Sequence, residues 1–255
     1  MKRKQEQQYV DKHWKSMKSN LKDYLSTGNQ EALHDFRLEV KKMRAFLVLQ
    51  PNNKLFKDFK PVKKIFKHAG DIRNIFLNLE LGQQHQVDDE NFVLQQHLQL
   101  EQLIIDFKSQ GDKYIKDVKN AYHHLSDRIE SIPDLHINLF YERQLHQIAD
   151  SLTKITFDDS LHHCRKLIKE LIYNYKLFMP VLQMQLNEEY LNNIQTAIGD
   201  WHDITLATDL FKNNKTAMVG LKKSNTSVRR KITGLAKDFF DKATTTTELA
   251  IEQID

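Results

Sequence analysis

LHDFRLEVKKMRAFL, Leu33–Leu47, places Leu33, Phe36, Val40, Phe46 and Leu47 at the spacing of one α-helical face. Wound as a helix, the same segment gathers His34, Arg37, Lys41 and Arg44 on a second stripe about 80° wide, with Lys42 off it. One segment therefore predicts a helix with an apolar side and a cationic side. The pattern returns in LHHCRKLIKELIYNYKLF, Leu161–Phe178, where His162, Arg165 and Lys169 repeat the His-x-x-Arg-x-x-x-Lys spacing 128 residues on. Lys166 and Tyr173 flank that second stripe.

A second pair of segments repeats at nearly the same offset. AGDIRNI, Ala69–Ile75, is matched by IGDWHDI, Ile198–Ile204, 129 residues later, with His202 answering Arg73. Pro180 stands 129 residues after Pro51. Matched elements in the same order point to an internal duplication, with halves at about 1–130 and 134–255 of one domain spanning 1–255. Gly70 and Gly199 fall inside helical patterns, where glycine costs about 1 kcal/mol relative to alanine. A cost taken twice implies close helix approach or a need for space beside a ligand. Asp71 and Asp200, or Asp203, are candidates to hold neighbouring basic side chains.

Composition sets the class. Seven Gly and four Pro in 255 residues are too few for a turn-dense β fold. Leu, Lys, Gln, Glu, Asp and Ile dominate, as in long amphipathic helices. Cys164 is the only cysteine, so no intramolecular disulfide can form. The start has no apolar run of signal-peptide length, and no uncharged stretch is long enough to span a bilayer. A cytoplasmic protein is expected.

The periodicity predicts helices over Val10–Leu25, Asn29–Val48, Pro61–Leu81, Phe92–Ser109 and Asp112–Ile129, with Pro51-Asn52-Asn53 breaking the second and Gly82–Glu90 a loop. The second half restarts with helices at Leu139–Leu152, Asp158–Phe178 and Asn187–Leu210. A loop at Lys212–Lys215, a last helix at Lys222–Ala243 and a fraying Thr244–Thr247 run complete it. With no Pro/Gly/Ser linker between the halves, two helical bundles packed into one body are expected.

Charge supplies the functional hint. His34 to His68 holds ten Lys or Arg against three acids, a surplus larger than the whole chain's +4. Clustered cations repel and cannot be buried unpaired, so each stripe faces water or an anion. Arg offers a forked donor pair for two phosphate oxygens, Lys a mobile point charge, and His one or two ring donors. The mixture suits a chain of phosphates. On unperturbed pKa values of about 6.5, His34, His162 and His202 would gain charge in mild acid and strengthen such binding.

The segment Leu33–Leu47 resembles the signature of the CHAD family (conserved histidine α-helical domain), roughly H-x-x-R-V-x-x-R-R-x-R. His34, Arg37, Lys41, Lys42 and Arg44 occupy its positions, with Lys twice replacing Arg and Leu38 replacing Val. HAGDIRN is similar to the following G-x-x-R-D element, with Asn74 for Asp. The resemblance implies an all-α fold of two pseudo-two-fold related four-helix bundles around a basic central cleft or channel. It also implies binding of inorganic polyphosphate without catalysis, cofactor or metal, through His34, Arg37, Lys41, Lys42, Arg44, Arg73, His162, Arg165, Lys166, Lys169 and His202. Association with polyphosphate granules is the corresponding partner expectation. Glu170 and Ile172 depart from the basic residues usual at those places, which makes the second stripe less cationic. The triphosphate tunnel strand E-x-E-x-K, found in fused relatives, does not occur here.

Two rival functions remain open on the sequence. His202-Asp203 is an HD dyad, as in metal-dependent phosphohydrolases, although Arg165 and Lys166 beside the nearest histidines would repel a cation. A non-specific nucleic-acid or acidic-protein scaffold is the other. Single-strand recognition usually interleaves aromatic platforms with the cations, and the stripes offer only Tyr173.

Overall fold

The computed structural model describes residues 3–51 and 55–246. Asn52, Asn53 and Lys54, and Thr247 of the threonine run, lie outside the described residues. The chain forms α1 (Arg3–Thr27), α2 (Gln30–Leu49), the short α3 (Leu55–Asp58), α4 (Lys60–Gln84), α5 (Glu90–Ser109) and α6 (Gly111–Ser126). There follow α7 (Asp134–Thr153), α8 (Asp159–Phe178), a 3-10 turn at Met179–Val181, β1 (Met184–Leu186), α9 (Glu188–Leu210), α10 (Lys215–Ala236), α11 (Phe239–Ala243) and β2 (Thr244–Thr246). The fold class is all-α, as the composition implies.

The helix ends have local causes. Gly28 takes a φ of +74°, the left-handed conformation that ends α1, and donates its N–H to the Tyr24 carbonyl at 2.8 Å. Asn29 then caps α2 by accepting from the Glu31 N–H at 2.9 Å. Asp89 caps α5 through the Phe92 N–H, and Asp158 caps α8 through the Ser160 N–H. Pro61 sits in the first turn of α4, where its missing N–H leaves no partner wanting.

Several boundaries differ from the sequence reading: α1 starts at Arg3 and α7 at Asp134, seven and five residues early, and α6 ends at Ser126, three residues short. Helix α4 continues through Gly82 to Gln84, with the Phe92 and Phe211 rings packed beside Gly82. The last helix starts at Lys215, seven residues early, because Asn214 caps it through the Ala217 N–H at 3.0 Å. It breaks at Asp238, whose φ is 54°, before α11. The Thr244–Thr246 run, expected to fray, pairs antiparallel with Met184–Leu186, in keeping with the β preference of threonine.

Among the described residues the chain divides into two compact units, 3–132 with 203–226 and 133–202 with 227–246. In the first, α1 packs along α2, and α4 packs against α2, α5 and α6. Met17, Leu21 and Tyr24 of α1, Phe36 and Met43 of α2, Ile65 of α4 and Phe107 of α5 are fully buried there. Each such side chain contributes about 1.5–3 kcal/mol of burial free energy. The Trp14 indole N–H donates to the Val118 carbonyl at 3.0 Å and fixes α1 on α6. Leu81, Ala207, Phe211, Ala217 and Leu221 make a further apolar cluster in this unit. In the second unit α7 packs on α8, and the buried Tyr141 hydroxyl donates to the Leu171 carbonyl at 3.1 Å.

Candidate functional site

The apolar face of α2 fixes where its cations lie. With Leu33, Phe36, Val40 and Met43 buried, His34 and Arg44 are exposed and Arg37 and Lys41 half-buried. Arg37 crosses to α4. Its Nη1 donates to the Phe66 carbonyl at 2.6 Å, and its guanidinium lies 4.2 Å over the Phe66 ring. This crossing needs Gly70, since a Cβ there would fall 2.5 Å from Arg37 Nη1. Arg73, one turn along α4, reaches Glu80 Oε2 at 3.1 and 3.2 Å.

The second unit repeats the arrangement on α8 and α9. Arg165 Nε donates to the Gln195 carbonyl at 2.9 Å, and a Cβ on Gly199 would fall 2.8 Å from Arg165 Nη2. Each glycine thus makes room for the arginine of its own motif. Each acceptor carbonyl, Phe66 or Gln195, stands four residues before the glycine, one helical turn away. The sequence reading missed these two acceptors, although the shared spacing from the glycine was there to find. His162 meets His202 with ring centroids 4.4 Å apart, and its Nδ1 is buried without a hydrogen-bond partner among the described residues. Lys169 is half-buried with Nζ 6.0 Å from the Tyr173 ring centroid, and Lys166 is exposed.

Electrostatics mark both places as positive. Although His34 is exposed overall, partial burial of its ring, followed by Lys41 and Arg73, lowers its pKa against a smaller opposing pull from Asp35. Burial and then Arg73 lower that of Arg37, with Asp71 opposing. Burial and then Arg165 lower that of Lys169. His162 is pushed down to about 4 by burial, then by His202, Lys166 and Arg165. Protonation of His34 and His162 near 6.5, expected from the sequence, therefore gives way to protonation in stronger acid. An anion in these fields would relieve all four penalties.

Not every motif cation joins its stripe. Lys42 instead bonds Glu39 Oε1 at 2.8 Å, and the buried Glu39 also takes His13 of α1. This contact turns Lys42 toward α1 and neutralises it. Asp71 acts on Arg37, while Asp200 is exposed. Among the described residues, no group of three or more His, Cys, Asp or Glu is arranged to hold a metal ion. Nor is any described helix long and apolar enough to cross a membrane.

The CHAD domain family model matches residues 94–212, which include the second copy of the motifs but not the first. The fold is similar to the crystal structure of the CHAD domain from the plant Ricinus communis, with a TM-score of 0.61 at 12% identity over 93% of this chain and 91% of that one. A search of curated proteins gives no significant match. The duplicated His-x-x-Arg-x-x-x-Lys and Gly-Asp motifs, the CHAD domain match over residues 94–212 and the fold agree in likening this chain to the CHAD family.

Proposed function

We propose that this protein binds inorganic polyphosphate, without catalysis, through the stripes of both repeats. His34, Arg37, Lys41, Arg44 and Arg73 serve in the first, and His162, Arg165, Lys166, Lys169 and His202 in the second. The observation that carries the reading is the duplicated arginine clasp. A guanidinium tied by one edge to a helix carbonyl loses rotamer freedom before any ligand arrives, and its remaining N–H donors stay available to phosphate oxygens. Cations around each clasp neutralise successive phosphates and release condensed counterions, so affinity falls steeply with salt. The protein acts in the cytoplasm, on polyphosphate or on its granules.

Calorimetric titration with long-chain polyphosphate tests this. Arg37→Ala and Arg165→Ala each weaken binding by at least about tenfold, the scale of a charged hydrogen bond. The exposed Lys57→Ala changes it by less than about twofold. Equal losses from all three variants would mean diffuse charge attraction and no site. Turnover of polyphosphate by the purified protein on added manganese or zinc would overturn the non-catalytic part.

A further inference from the structure

Helix α10 carries a second cationic surface that takes no part in the duplicated motifs. Between Asp209 and Asp238 the chain holds eight Lys or Arg and no acidic residue. The buried face of α10, with Leu221, Val228 and Ile232, turns these cations to solvent. Two rows result, each stepping by seven residues. Lys215, Lys222 and Arg229 form one, and Lys223, Arg230 and Lys237, the last just beyond the helix, form the other. All six are exposed, and none is in an ion pair among the described residues. Arg229 is steadied by the Phe157 ring, 4.1 Å from its Cζ. A solvated helix face ordinarily interleaves both signs, since like charges a turn or two apart repel.

The distribution of the charges selects the ligand. The rows lie roughly 90° apart around the helix, with head groups roughly 8 Å or more apart across it and steps of roughly 10 Å along it. A thin single chain of phosphates touches one such row at a time. Two rows straddling a convex ridge match phosphates on both walls of a duplex groove, which is about 12 Å wide on the major side and admits an α-helix. Exposed Thr226, Ser227 and Thr233 add hydroxyl donors of the kind that contact phosphate oxygens. A bilayer would find only Val219 as an exposed large apolar side chain on this helix. We propose that the outer face of α10 binds the phosphate backbone of double-stranded nucleic acid, without sequence preference, at a site separate from the duplicated stripes.

Fluorescence anisotropy with a labelled mixed-sequence DNA duplex tests the proposal on the full chain. The variant combining Lys222→Gln, Lys223→Gln and Arg230→Gln loses at least about tenfold in duplex affinity at low salt. Its dependence of log affinity on log salt becomes shallower by about 3, one for each lost phosphate contact. Its polyphosphate affinity stays within about twofold of the parent, and its thermal unfolding is unchanged by circular dichroism. Lys222→Arg with Lys223→Arg retains duplex binding. Failure of the parent protein to bind the duplex, or an unchanged duplex affinity in the triple variant, overturns the proposal. So does an equal loss toward polyphosphate, or binding of anionic vesicles in place of the duplex.

Discussion

Gly70→Ala separates the arginine clasp from ordinary helix packing. The new methyl carbon would fall 2.5 Å from Arg37 Nη1, closer than non-bonded atoms approach, and a tight 3.3 Å from its Cζ. Both atoms belong to the far end of a flexible side chain, so the guanidinium moves and the helix does not. What is lost is the 2.6 Å bond to the Phe66 carbonyl, worth about 1.5–3 kcal/mol for a charged donor. What is gained is about 1 kcal/mol of helix propensity. The net change is a loss of roughly 0.5–2 kcal/mol, seen as a fall of a few degrees in Tm for a chain of this size. In an Arg37→Ala background the clash is absent, and the same substitution should stabilise by about 1 kcal/mol. The sign thus reverses between backgrounds, which a double-mutant cycle by chemical denaturation reads directly. Polyphosphate affinity of Gly70→Ala should fall as far as that of Arg37→Ala. Stabilisation of the parent protein by Gly70→Ala with unchanged affinity would refute the reasoning.

Other perturbations follow from single contacts. Glu80→Gln releases Arg73 from an exposed ion pair and should tighten polyphosphate binding by at most about fivefold, with a loss of affinity contradicting the assignment of Arg73. Lys42→Met leaves the buried Glu39 with His13 alone, so it should lower stability by about 1 kcal/mol in urea unfolding while leaving affinity within about twofold. His162, with a folded pKa near 4 against an ordinary 6.5, binds fewer protons folded than unfolded in that interval. Its contribution to stability is therefore constant above about pH 7 and declines as pH falls through the interval between those values. A proton NMR titration placing the free His162 near 6.5 would contradict this.

Much of the fold was legible because helices carry their own periodicity. The apolar spacing of α2 and α8 and the caps Asn29 and Asp158 are local, and local signals survive in a single sequence. The misread ends involve distant partners. Gly82 reads as a loop until Phe211 is seen against it, and Thr244–Thr246 reads as a frayed end until Met184–Leu186 pairs with it. The same division applies to the candidate site. The motif spacing names Arg37 and Arg165, but only packing reveals that Gly70 and Gly199 exist to admit them. Lys42 fits the family motif as well as Lys41 does, and it is Glu39, bound on its other side by His13, that draws it away. Helical projection had already placed Lys42 off the stripe.

The replacement of Arg73 by His202 makes the two stripes different electrostatic devices. The first draws on guanidinium and ammonium groups that stay charged at any physiological pH, with His34 as its one imidazole. In the second, His162 and His202 sit ring against ring within reach of Arg165 and Lys166, and a proton on His162 is disfavoured by each of them. At neutral pH His162 therefore adds no charge to Arg165, Lys166 and Lys169. A phosphate placed between the histidines reverses the balance, because its negative charge stabilises the imidazolium that the cations oppose. Ligand binding at the second stripe then takes up a proton at pH values between the free and the liganded pKa of His162. Affinity should be flat above about pH 7 and rise as pH falls below about 6. His162→Ala should reduce that rise, while Arg73→Ala should leave it in place. Proton uptake on binding, measured calorimetrically in buffers of different ionisation enthalpy, should accordingly shrink in His162→Ala and persist undiminished in Arg73→Ala; the opposite outcome would place the main acid-sensitive group in the first stripe.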